Sequence, residues 1–144
     1  MPVIEGVGRS YVLLPTASGV AINLRDYSSI EFWGTNDNTF TLTLATSFSG
    51  GYSQPSGWNP ITHYYDNADN GAGTGVFTKV TQAASNAVAQ GSDHTTVIVL
   101  LQSMVPDTYT YVKCTASAPG DGTLTAVCVP LIGRAPANLA KLSA

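Results

Sequence analysis

The sequence predicts one all-β domain, an antiparallel β-sandwich or jelly-roll-like fold of roughly 8–10 short strands with extended terminal arms. Three observations carry this. Segments of alternating or β-branched apolar residues recur along the chain, separated by Gly, Pro, Asn and Asp. The 144 residues suit a single core. Charged residues are only 10% against 44% apolar, so the chain folds and its surface is wetted by hydroxyls and amides. The expected organisation is an N-terminal arm over 1–10, a β-domain over 11–132 and a C-terminal arm over 133–144.

From the N-terminus, short strands are expected at Tyr11–Leu14, Ala21–Leu24 and Ser29–Trp33. Thr39–Leu44 alternates strictly, with Phe40, Leu42 and Leu44 on one face and threonines on the other, the period of a half-buried strand. Thr62–Tyr65 and Val76–Val80 follow. Thr81–Gln90 carries helix formers, a Thr cap and a Gly91 stop, yet Ser85-Asn86 interrupts it and its alanines bury little. It is read as a loop plus a short strand. Thr95–Leu101 is apolar in both phases and suits a central strand buried on both faces. Tyr109–Ser117, the turn at Pro119-Gly120-Asp121-Gly122, and Thr123–Val129 carry the signal of a hairpin.

In that hairpin Cys114 and Cys128 would lie opposite one another. A cross-strand disulfide is then thinkable, but two small buried thiols are the preferred reading. Two cysteines are too few for a disulfide scaffold and fit synthesis in a cytoplasm. The long loops Ser49–Pro60 and Asp66–Gly75 lie where binding surfaces often lie. Tyr52 and Trp58 in the first would either stack on a partner or pin the loop to its own domain. The C-terminal arm orders only by docking Ile132, Leu139 and Leu142 on something, because fixing each residue costs about 1–2 kcal/mol.

Charge excludes some function classes. Residues 26–133 hold eight acids and two lysines (−6), while 1–25 total +1 and 134–144, with Arg134 and Lys141, total +2. An acidic body with scattered cations cannot line a phosphate backbone, so no nucleic-acid partner is expected. No apolar run approaches the roughly 20 residues that span a bilayer, and no membrane partner or signal peptide is expected.

Catalytic patterns are also missing. Gly8-Arg-Ser10 and Gly51-Tyr-Ser53 do not complete a nucleophile elbow, and His63 and His94 form no metal motif. In Asp66–Gly71 the calcium-loop positions would fall on Asp66, Ala68, Asn70 and Phe77, two of which cannot ligate. A looser calcium loop through Asp66 and Asp69 stays open. Gly71-x-Gly-x-Gly75 lacks the Lys-Ser/Thr of a phosphate loop. The expectation is a non-enzyme with no cofactor.

Leu44–Phe48, Thr62–Tyr65, Gly75–Asn86, Val97–Leu101, Asp107–Val112 and Val127–Pro136 together resemble the small β-rich head proteins of tailed bacteriophages, the decoration or capsid-cement and minor structural proteins. The resemblance implies a domain displayed on the virion capsid surface, commonly a trimer, that binds the major capsid protein across neighbouring subunits. Arg9, Ile132, Arg134, Leu139, Lys141, Leu142, Tyr52 and Trp58 are the expected contact residues. The alternatives are a tail-tube or tail-tip protein and a carbohydrate-binding module using Trp58, Tyr52, Tyr64 and Tyr65.

Overall fold

A computed structural model describes residues 19–36, 38–68, 76–120 and 122–130, with the backbone alone for 12–15. The expected arms and residues 69–75 of the second long loop lie outside the described residues. The strands are β1 (Val12–Pro15), β2 (Ile22–Asn23), β3 (Tyr27–Thr35), β4 (Thr39–Ala45), β5 (Ile61–Asn67), β6 (Thr78–Ser85), β7 (Ala87–Ala89), β8 (Thr95–Leu101), β9 (Tyr111–Ala116) and β10 (Leu124–Pro130). All pairs are antiparallel and make two sheets, in the orders β1-β10-β3-β8-β5-β6 and β2-β9-β4-β7.

Alternation translates directly into burial. Phe40, Leu42 and Leu44 of β4 are buried, as are Ile30 and Phe32 of β3 and Leu124, Ala126 and Cys128 of β10. These residues of both sheets belong to one apolar cluster, so the sheets cover a common core in a sandwich-like arrangement. Each large side chain so buried contributes about 1.5–3 kcal/mol. The close approach of the sheets depends on Gly34 of β3: a Cβ there would fall 2.2 Å from Cζ of Phe40 on β4.

Strand pairing follows a single rule. β1 pairs β10, β2 pairs β9, β3 pairs β8 and β4 pairs β7, so the second half of the chain folds back along the first. These four pairs lie alternately in the larger and the smaller sheet, and lateral pairs β10–β3 and β9–β4 join the ribbon to itself. Strands β5 and β6 are inserted between β4 and β7 and extend the larger sheet beyond β8.

This order overturns the hairpin expected at Tyr109–Val129. β9 pairs β4 and β2, whereas β10 pairs β3 and β1 in the other sheet. The turn between them is stitched to the β3–β4 turn and so carries the chain across the core. Thr35 N–H donates to Thr123 O (2.9 Å), Thr123 N–H to Thr35 Oγ1 (2.9 Å), Thr39 N–H to Ser117 Oγ (2.9 Å) and Ala118 N–H to Asn38 Oδ1 (2.7 Å). A Cβ at Gly122 would lie 2.1 Å from Thr35 O, so only glycine admits this contact. Cys114 and Cys128 are free buried thiols on different sheets.

Two further expectations change. Thr81–Gln90 is extended through most of its length, as the end of β6 and the short strand β7, broken at Asn86. Gln82 Nε2 donates to Ile61 O (3.2 Å) and Ala87 O (3.0 Å), and Asn86 Nδ2 to Leu42 O (2.9 Å), which holds the break between the sheets. β8 is central, yet its outer face is not fully covered: Val99 is half-buried and Leu101 is exposed.

Candidate interaction surface

The outer side of the six-stranded sheet carries a line of apolar side chains across β3, β8 and β5. With Ile30, Phe32 and Gly34 facing the core, Glu31 and Trp33 of β3 face outward. Register then sets Trp33 beside Val97 and Val97 beside Tyr65. Trp33 Nε1 donates to the Glu31 carboxylate (3.1 Å), so the indole runs along its own strand. Phe77 meets it edge-on, with centroids 5.6 Å apart, and Val97 is buried beneath this outer layer.

A groove opens farther along β8. β5 pairs β8 only at Tyr65–Asn67 against Val97–Thr95, then follows β6 alone. The divergence leaves a gap of about 180 Å³ lined by Pro60, Ile61, Thr62, His63, Tyr65, Val99, Leu101 and Met104. One histidine and no carboxylate, lysine or arginine line it. Trp58 stands at the strand ends that bound the gap. The residue is 7% exposed, belongs to the core, and donates from Nε1 to Met104 O just beyond β8 (2.9 Å).

The other end of the contact between β5 and β8 is locked by polar groups. Asp66 and Thr96 are register partners, and Thr96 Oγ1 donates to Asp66 Oδ1 (2.9 Å). His94 Nδ1 lies 2.6 Å from Asp66 Oδ2, and Gln90 Nε2 donates to Thr96 Oγ1 (2.9 Å) and to Gly34 O (2.9 Å). Both oxygens of Asp66 are thus engaged within the fold, which argues against its use as a calcium ligand. Asp69, its partner in that reading, lies outside the described residues.

Of the eight expected contact residues, Arg9, Ile132, Arg134, Leu139, Lys141 and Leu142 lie outside the described residues. Tyr52 and Trp58 are described, and both hold their loop to its own domain. Tyr52 OH donates to Phe48 O (3.0 Å) and its ring lies 4.2 Å from Lys113 Nζ. Ser53 bridges Leu44, Trp58 N–H donates to Pro55 O, and Gln54 Nε2 donates to Trp58 O (2.9 Å). Trp58 therefore has no ring face to offer a sugar. Tyr64 packs against the core, and Tyr65 is half-buried on the outer face.

No family model matches the chain, and no curated protein and no solved structure matches it.

A second concavity of about 410 Å³ lies where the chain leaves β2 and β8, lined by Leu24, Arg25, Gln102, Ser103, Val105, Pro106, Asp107 and Tyr109. Gln102 Nε2 is committed to Leu24 O (2.8 Å), and Ser103 has no histidine in the lining to activate it. Among the described residues no group of three or more His, Cys, Asp or Glu side chains is gathered to hold a metal.

Sequence reasoning missed Trp33, Leu101 and Met104 as surface residues. The available signal was phase: Ile30 and Phe32 inward force Trp33 outward. The double-sided apolarity of Thr95–Leu101 does not by itself distinguish burial on both faces from a core face backed by an exposed apolar one.

Proposed function

We propose that this chain is a jelly roll serving as a structural virion protein, one that decorates a phage capsid and binds the major capsid protein across neighbouring subunits. The observation that carries the reading is the pairing order. The pairs β1–β10, β2–β9, β3–β8 and β4–β7, alternating between two sheets, are the order of a ribbon rolled into a jelly roll, with β5 and β6 as an added pair. Jelly rolls are recurrent in viral capsid domains and also in lectins. A weakly charged, hydroxyl-rich surface keeps such a domain soluble at high copy number. The acidic body and basic ends favour many weak contacts on a repeating lattice, where multivalency supplies the affinity.

The test is co-sedimentation of the purified chain with phage heads that lack it, beside a chain deleted for 133–144. Saturable occupancy that falls on deletion supports both the decoration role and the arm's part in it. Full occupancy by the deleted, folded chain removes the arm. Tubes or rings formed without heads favour a tail protein, and glycan binding without head binding favours a lectin.

A further inference from the structure

We infer that β5 and β6 form a flap, hinged on the core at the Ile61–Ser85 end and latched at the other, that swings off β8 as a unit while the rest of the fold stays intact. The two ends are held by different chemistry. At the hinge, Ile61 is buried in the core, Trp58 shortly before it donates to Met104 O (2.9 Å), and Gln82 Nε2 donates both to Ile61 O (3.2 Å) and to Ala87 O (3.0 Å). Beyond the hinge, β5 stays apart from β8 until Tyr65–Asn67 meet Val97–Thr95, and the gap of about 180 Å³ lies between. The flap is thinly buried. No side chain of β6 is buried, and the apolar residues that β5 sets against the core are Ile61 and the partly buried Tyr64. Segments with so few buried apolar contacts open locally, at less cost than global unfolding.

Two side-chain contacts close the latched end. Asp66, in register with Thr96, accepts from Thr96 Oγ1 (2.9 Å) and lies 2.6 Å from His94 Nδ1. The His94 and Asp66 side chains are 28% and 13% exposed, so water reaches this contact. On the outer face Phe77, next to the first residue of β6, meets Trp33 of β3 edge-on with centroids 5.6 Å apart, and both rings are partly exposed. Each of these contacts crosses from the flap to the body. The flap itself is bonded along its length, by the continuous register of His63–Asp66 against Thr81–Thr78 and by Thr78 Oγ1 donating to Asp66 O (3.2 Å). Its two strands therefore stay together when the latch parts. Opening frees the edge of β8 over Thr95–Val97 and the Trp33 indole at the same time.

The test is amide hydrogen exchange, followed by NMR on the full chain over a range of low urea concentrations. In the unaltered chain, the amides that bond β5 to β8 should have lower protection factors than those that bond β5 to β6, although β6 is the outer strand of the sheet. Their exchange should depend only weakly on urea, as local opening does. Asp66→Asn should lower the β5–β8 protection about tenfold, and Phe77→Ala, at a partly exposed position that tolerates truncation, should lower it severalfold. Val112→Ala, in the core under the smaller sheet, should lower protection of the slowest amides in β3, β4 and β10 and leave the β5–β8 amides unchanged, because it touches no latch contact. Fraying from the edge, with the β5–β6 amides exchanging first, would overturn the flap. So would β5–β8 exchange that rises with urea and with Val112→Ala in step with the core. Folded Asp66→Asn and Phe77→Ala variants with unchanged β5–β8 protection would remove the latch.

Discussion

Gly34 and Phe40 are one packing unit, since the Phe40 ring occupies the space a side chain at 34 would need. Gly34→Ala should therefore destabilise the fold by about 1–3 kcal/mol, read as a lower urea midpoint, although β-propensity alone would favour the alanine. Thr96→Val removes the donor to Asp66 and an acceptor of Gln90 while keeping the shape, and should cost about 1–3 kcal/mol. Burial raises the Cys128 thiol from 9.0 to about 12, and burial, then Cys128, then Asp26 raise the Tyr27 hydroxyl from 10.0 to about 12. Burial pushes the Cys114 thiol upward as well. These groups hold their protons in the fold at a pH where the unfolded chain releases them. Stability from this source is complete below about pH 9 and declines from there to about pH 12. Urea midpoints between pH 7 and 11 should be flat and then fall, and neither thiol should react with a thiol reagent until the chain unfolds.

At the scale of elements, the decisive feature is a turn that joins sheets rather than neighbouring strands. Ser117–Thr123 is bonded to Thr35–Thr39, and β9 and β10 part to opposite sides of the core. Cysteines at 41 and 115, which are register partners, should form a disulfide under mild oxidation. Cysteines at 115 and 127, neighbours in the discarded hairpin, should not. Strands were legible because period-2 burial is local: Phe40, Leu42 and Leu44 announce an inner face by themselves. The sheet each strand joins was not legible, because a hairpin and a crossing turn use the same Gly- and Pro-rich residues and differ only in contacts with Thr35 and Asn38. The helix formers and Thr cap of Thr81–Gln90 lost to pairing with β5 and β4, a tertiary choice made through Gln82 and Asn86. The groove was illegible for a similar reason. It arises where β5 leaves β8, and Trp58, whose loop position suggested a contact residue, packs into the core beside it.

At the scale of the whole molecule, two antiparallel sheets share one core, an inserted strand pair opens a groove, and the sequence sets an acidic body between basic ends. Its function would lie in adhesion spread over surfaces, which is why no single side chain announces it. The central claim is that this domain cements a capsid. Quantitative co-sedimentation with empty heads lacking the protein tests it most directly. Binding should saturate at a fixed ratio of chains to major capsid subunits, and the filled heads should resist heat better than the empty ones. Failure of the folded chain to bind heads at any concentration tested would contradict it.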